Sequence, residues 1–316
     1  MVTPVGLGLA ALGRPAYINL GRDADLGPDR DVATMEQRCH QMLDAAHEAG
    51  VRYVDAARSY GRAEEFLASW LERRGIAPGA VTIGSKWGYR YTGDWRMDAP
   101  VQEMKDHSVA MFERQRAETG ALLGAHLRLY QVHSATLESG VLDDAAVLHA
   151  LAELGATGVA VGLTVSGPRQ ADVVRRALEV DVDGANPFST VQATWNLLEP
   201  SAGAALATAH ARGWGVIVKE ALANGRLTGS GEDARTGALA HMAARHGTTL
   251  EQVAVAAAVG QPWADVVLSG AVSPAQLDAD VWALGLDLTD EDRALAASVA
   301  ATPEDYWERR SALPWR

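Results

Sequence analysis

Eight short apolar runs of strand-like character recur along the chain, separated by stretches of helical periodicity, and few folds accommodate that alternation. The runs are Val5 to Ala10, Val51 to Ala56, Val81 to Lys86, Leu127 to His133, Gly158 to Thr164, Thr190 to Trp195, Gly215 to Lys219 and Asp265 to Ser269. Between the second and third, Ala63, Phe66, Leu67, Trp70 and Leu71 share one helix face, with a stop expected at Arg73, Arg74 and Gly75 ahead of Pro78. Ala146, Val147, Ala150, Leu151 and Leu154 repeat the pattern before Gly155, and Leu250, Val253, Ala254, Ala257 and Ala258 repeat it before Pro262. Eight such units in 316 residues, with no Pro/Gly-rich or low-complexity linker, predict one α/β domain over residues 1–316. The expected form is a closed (β/α)8 TIM barrel rather than a two-domain open sheet.

Charge and cysteine content narrow the partners. The chain holds 28 Lys+Arg against 40 Asp+Glu, a formal charge of −12, which opposes binding to nucleic acid or an anionic membrane. A phosphate group in a ligand must then be met by local basic residues or backbone N–H donors. The single cysteine, Cys39, lies in the stripe Met35, Cys39, Met42, Ala46, Ala49 and is expected to pack in the core. The apolar opening, residues 1–13, has no basic residue before its apolar run and reads as a buried strand rather than a signal peptide. With no apolar stretch of membrane-spanning length, a cytoplasmic enzyme is expected. No metal-ligand spacing such as His-Glu-x-x-His or Cys-x-x-Cys occurs. Near the C-terminus, Thr289 and Asp292 predict a capping box, and the aromatic segment Tyr306, Trp307 and Trp315 either folds over the barrel mouth or closes its side.

In a barrel of this kind, chemistry sits where strands end. Asp55, Lys86 and His133 fall at or beside the ends of the second, third and fourth runs, and Tyr60 follows Asp55 closely. A free phenol ionises near pH 10, about three units too high for easy proton transfer at neutrality. A nearby ammonium favours the phenolate, and a carboxylate keeps that ammonium charged and oriented. Lys86 is therefore expected to lower the pKa of Tyr60, with loss of Asp55 acting in the same direction as loss of Lys86. His133 then hydrogen-bonds the substrate oxygen or shares in proton relay. Singly, each residue also has an ordinary reading, as a surface ion pair or a buried ring with its hydroxyl at the edge.

Five segments carry a resemblance to the aldo-keto reductase superfamily: Gly6-Leu7-Gly8, Val54-Asp55-Ala56-Ala57-Arg58-Ser59-Tyr60-Gly61, Ser85-Lys86, Leu129-Tyr130-Gln131-Val132-His133 and Gln192-Ala193-Thr194-Trp195-Asn196-Leu197-Leu198. Leu222-Ala223-Asn224-Gly225-Arg226-Leu227-Thr228-Gly229 looks like the family's cofactor-wrapping loop. The resemblance implies a catalytic tetrad of Asp55, Tyr60, Lys86 and His133. It also implies a nicotinamide dinucleotide, NADPH with NADH as the other possibility, extended across the barrel mouth. Thr164 and Gln192 would meet the carboxamide, although the family's Ser-Asn pair reads Thr164-Val165 here. Leu222, Gly225 and Arg226 would wrap the cofactor, with Arg226 neutralising the pyrophosphate. Ser269, Gly270 and the N-capping Ser273 suit its phosphate end, and Gln276 and Asp280 the adenosine. Val272 stands where a basic residue often meets the 2′-phosphate.

Lys219 occupies the place of an aromatic residue that stacks on the nicotinamide, and its charge is expected to disfavour the oxidised ring. Alternation along the strand turns Glu220 to the other face, so no direct pair with Lys219 is expected unless the strand end bends. The segment from Trp87 to Arg96 carries four aromatic residues and two arginines, and either grips a sugar-like ring or packs onto the barrel. His107 reads as a helix-face histidine, with a role supporting the catalytic residues from behind as the alternative. The reading overall is an NAD(P)H-dependent reductase of a small carbonyl or sugar-like substrate. A redox-neutral epimerase or dehydratase with retained dinucleotide stays open, as does a non-catalytic subunit of the same fold.

Overall fold

In the computed structural model, which describes residues 3–229 and 235–315, all eight expected runs are strands of one closed parallel sheet. In chain order the strands are β1 (Val5–Gly8), β2 (Tyr53–Asp55), β3 (Thr82–Trp87), β4 (Tyr89–Tyr91), β5 (Glu103–Lys105), β6 (Leu127–Ala135), β7 (Ala160–Val165), β8 (Thr190–Thr194), β9 (Gly215–Lys219) and β10 (Val266–Ser269). The barrel runs β1-β10-β9-β8-β7-β6-β3-β2 and closes through β2 on β1. β4 and β5 are an antiparallel hairpin outside it, inserted after β3 in the segment that carries the aromatic residues.

The helices are α1 (Arg22–Leu26), α2 (Val32–Glu48), α3 (Ala63–Arg74), α4 (Val109–Leu123), α5 (Ala145–Ala156), α6 (Gln170–Ala177), α7 (Gly203–Ala211), α8 (Thr236–Arg245), α9 (Leu250–Val259), α10 (Pro274–Trp282), α11 (Asp290–Ser298) and α12 (Pro303–Ser311). Their ends follow local chemistry. Asp31 caps α2 by accepting from the Ala33 and Thr34 amides, and the reciprocal Thr289–Asp292 capping box starts α11. The α2 stripe of Met35, Cys39, Met42 and Ala46 is buried as its spacing predicts.

Two apolar layers result. Tyr53, Leu129 and Ile217 fill the barrel itself, with Val266 and Leu268 beside them. A larger core joins the outward faces of the strands to the helices. Parallel register then delivers the polar residues to one rim: Gly8 pairs with Asp55, Asp55 with Gly84, Lys86 with Gln131, and Thr194 with Lys219. The C-terminal helix α12 lies against this rim, where Arg310 bonds Glu220 and the Tyr306 hydroxyl accepts from Asn196 Nδ2 at 2.9 Å. Among the described residues no helix is long and apolar enough to cross a membrane.

Candidate active site

Tyr60 sits in the turn between β2 and α3, and backbone contacts fix it there. The Ala56 amide donates to Gly84 O at 2.8 Å, the Arg58 amide to Lys86 O at 3.1 Å and the Tyr60 amide to Ala57 O at 3.0 Å. Gly61 follows at φ +60°, and a Cβ on it would lie 2.4 Å from the Gly13 carbonyl, so only glycine permits both the conformation and the approach. Lys86 is buried behind the tyrosine. Its Nζ donates to Ala56 O at 2.9 Å and to the Tyr60 hydroxyl at 3.3 Å, and contacts Asp55 directly. Asp55 is held from two further sides, by the Tyr53 hydroxyl at 3.2 Å and Gln192 Nε2 at 2.9 Å.

This arrangement corrects the electrostatic expectation for Tyr60. Burial first, and then the Asp55 charge, push its phenol pKa well above the ordinary value; Arg14 opposes them. The Lys86 charge is largely answered by Asp55, and burial lowers the pKa of Lys86 despite that partner. Tyr60 therefore stays protonated across the physiological range. His133 stands beside it, the two rings 5.5 Å apart and edge to face. Burial, reinforced by Lys86, Arg14 and Lys219, keeps its imidazole neutral.

His133 has two supports, of which sequence reasoning raised His107 only as the alternative reading and Ser59 not at all. Ser59 Oγ lies 3.4 Å from its Nδ1, and His107 Nε2 donates to its carbonyl at 2.9 Å. His107 precedes α4 rather than lying on a helix face, and burial lowers its pKa to about 4, so it is neutral. Gly88, at φ +102°, makes room for it: a Cβ there would stand 2.2 Å from the His107 ring.

A cavity of about 770 Å³ opens from this rim, within the range for small-molecule and cofactor sites. Its wall includes Asp55, Tyr60, His133, Thr164, Gln192, Lys219, Leu222, Gly225, Ser269, Gly270, Gln276 and Asp280, so twelve sequence-predicted residues converge. Lys86 lies behind the wall, in contact with two of its members. Ser273 caps α10 by accepting from the Gln276 amide and is not itself on the wall. Thr164 Oγ1 accepts from the Ser134 amide at 2.7 Å, and Ser166, two residues on, adds a hydroxyl that sequence reading passed over.

Arg226 is placed differently from its expected pyrophosphate role. It is buried off the cavity wall, 4.0 Å from the Tyr306 ring centroid, with Nε donating to Ala223 O at 3.2 Å. Arg90 and Arg96 also stay away from the cavity; of the aromatic segment only Tyr89 lines it, while Trp87 is buried and Trp95 bonds Arg30 O. Among the described residues, the cations that line it are Arg14, Lys219 and Arg310.

Glu220 takes φ +59°, so the strand end bends and its carboxylate comes within 3.8 Å of Lys219 Nζ, contrary to simple alternation. Burial would raise the Glu220 pKa, but Arg310 and Lys219 hold it down at about 2. Lys219 donates to Thr194 Oγ1 at 2.8 Å, and burial brings its pKa down to about 8.

With this geometry established, comparison with known proteins identifies its class. The model of the aldo/keto reductase family matches residues 6–301. The chain belongs to the aldo/keto reductase family. As a member it is an oxidoreductase on the barrel described above. A glycerol dehydrogenase from Gluconobacter oxydans shares the fold at 21% identity, with a TM-score of 0.68 over 94% of this chain and 91% of that one. An aldo-keto reductase from Bacillus halodurans, solved in its holo form, does so at 20% identity and a TM-score of 0.71, over 95% and 93% of the two chains. No curated protein matches the chain.

Proposed function

We propose that this aldo-keto reductase reduces a small aldehyde, ketone or sugar-like carbonyl, or oxidises the corresponding alcohol, with Tyr60 as the proton donor. One observation carries the reading: Tyr60 lines the cavity, its hydroxyl 3.3 Å from a lysine paired with Asp55, with a neutral histidine beside it. When bound, a reduced nicotinamide dinucleotide supplies a hydride to the carbonyl carbon. The residues of the chain do the rest. His133 orients the carbonyl oxygen through a hydrogen bond, Tyr60 gives its proton to that oxygen as negative charge gathers there, and Lys86 steadies the phenolate left behind.

The cavity suits such a cofactor in size, and both Tyr60 and residues of α10 line it. Thr164, Ser166 and Gln192 would meet the nicotinamide end, Leu222 and Gly225 the middle, and Ser269, Gly270 and Gln276 the adenosine end. NADH suits this wall better than the NADPH implied by resemblance. Glu251 and Asp280 line the wall close to one another, whereas of its described cations Arg14 and Lys219 lie close to His133. A carboxylate accepts from a ribose 2′-hydroxyl but repels a 2′-phosphate, which brings about two negative charges. Tryptophan fluorescence titration with NADH and NADPH, followed by absorbance assays of reduced cofactor with a panel of aldehydes and sugars, tests the reading. Saturable binding and carbonyl-dependent oxidation of the cofactor are expected; no binding of either dinucleotide would contradict it.

A further inference from the structure

We propose that Arg14 is a positioning residue for Tyr60: its guanidinium, packed against the tyrosine ring and anchored on the neighbouring carbonyl, stabilises the negative charge left on the phenol oxygen after proton transfer. This rests on the reading of Tyr60 as the acid. Arg14 lies 46 positions from Tyr60 in the chain and outside every motif discussed above.

The geometry begins with the backbone. The Gly13 carbonyl accepts from the Arg62 amide at 2.7 Å, and the Gly13–Gly61 approach presses the two segments together. Arg14 is thereby held against the tyrosine turn. Its Nη1 donates to Ser59 O at 3.0 Å and to Glu103 at 2.9 Å. Its guanidinium carbon lies 5.2 Å from the Tyr60 ring centroid, 5.3 Å from that of Tyr17 and 4.7 Å from that of Trp315. Arg14 is only 2% exposed, and its Nε is buried without a hydrogen-bond partner. Burying a guanidinium at this cost is hard to explain by a surface-type ion pair alone.

Electrostatic need points the same way. Lys86 touches the phenol and is paired with Asp55, and Arg14 packs on the ring and is paired with Glu103, so two cations flank the tyrosine. Arg310 is committed to Glu220, and Lys219 is bonded to Thr194. Facing Tyr60 are Asp55 and Lys86 from β2 and β3, Glu103 from β5, His133 from β6, Glu220 beyond β9, and the phenols of Tyr17 and Tyr53. Asp55, Glu103 and Glu220 all disfavour a second negative charge, and Arg14 opposes them. A cation within about 6 Å favours the anionic form of a buried acid by about one pH unit or more.

The test reads Tyr60 directly and needs no substrate. A fluorinated tyrosine, whose phenol ionises closer to neutrality, is incorporated at position 60 of the full-length chain and titrated by ¹⁹F NMR. Arg14→Gln should raise the midpoint by about one unit or more, and Arg14→Lys should keep most of the parent value. An unchanged midpoint in Arg14→Gln, or one as high in Arg14→Lys as in Arg14→Gln, overturns the proposal. Should Arg14→Gln not fold, Arg14→Met, which keeps the stem and removes the charge, is titrated against Arg14→Lys, and equal midpoints in the two overturn the proposal. Loss of cofactor binding or turnover would instead strike at the functional reading and leave this titration intact.

Discussion

Lys86 Nζ lies 3.3 Å from the Tyr60 hydroxyl while touching the Asp55 carboxylate, so the acid faces a cation and an anion at once. The two partners must then act with opposite signs. Replacing Lys86 with Met removes support for the phenolate, so turnover should fall about 10²-fold or more, and the alkaline limb of the rate profile should move up. Asp55→Asn removes the charge that raises the tyrosine pKa, so its alkaline limb should move down. Steady-state rates across pH for the two variants check this; shifts in the same direction would contradict it.

Lys219 supplies a second pH effect. With a pKa of about 8, it is charged below that value and neutral above it. A charged ammonium beside the nicotinamide disfavours the cationic oxidised ring relative to the neutral reduced one. Affinity for oxidised cofactor should therefore improve relative to reduced cofactor from about pH 7 to about pH 9. In Lys219→Met the ratio should be flat and shifted towards the oxidised form. Dissociation constants for both forms across that range measure it, and identical ratios in parent and variant would separate Lys219 from the ring.

The proposed cofactor choice rests on the carboxylates of the cavity wall. Glu251 also accepts from the Gly229 amide at 2.8 Å, which fixes its carboxylate on the wall. Glu251→Gln keeps the shape and removes the charge, so the preference for NADH over NADPH should shrink several-fold, mainly by tighter NADPH binding. Parallel fluorescence titrations measure this. A preference for NADPH in the parent would refute the reading at its root.

The barrel was legible because β-strand runs and helix stripes are local patterns, and all eight barrel strands fall where those patterns lie. Asp55, Tyr60, Lys86 and His133 were legible because each stands within a few residues of a strand's C-terminal end. Arg14 and Glu103 were not, since they meet only through tertiary packing of segments far apart in sequence, and Trp315, expected at the mouth on one of two readings, lines the cavity beside Arg14. Arg226 illustrates the converse error: its place in a motif-like loop does not fix its direction, and it stacks on Tyr306 from α12. The Lys219–Glu220 pair escaped the alternation rule because Glu220 leaves the extended region at the strand end. Boundaries shifted by a few residues where burial continues past the last ladder pair, as at Leu9 after β1.

The central claim is that Tyr60 is the proton donor, and Tyr60→Phe addresses it with the loss of a single oxygen atom. Cofactor dissociation constants should match the parent, because the ring and its packing remain. Turnover with the best carbonyl substrate of the parent should fall by about 10²-fold or more, the scale expected for losing a positioned general acid. A variant that binds cofactor normally and turns over within about threefold of the parent, well short of that scale, would contradict the account.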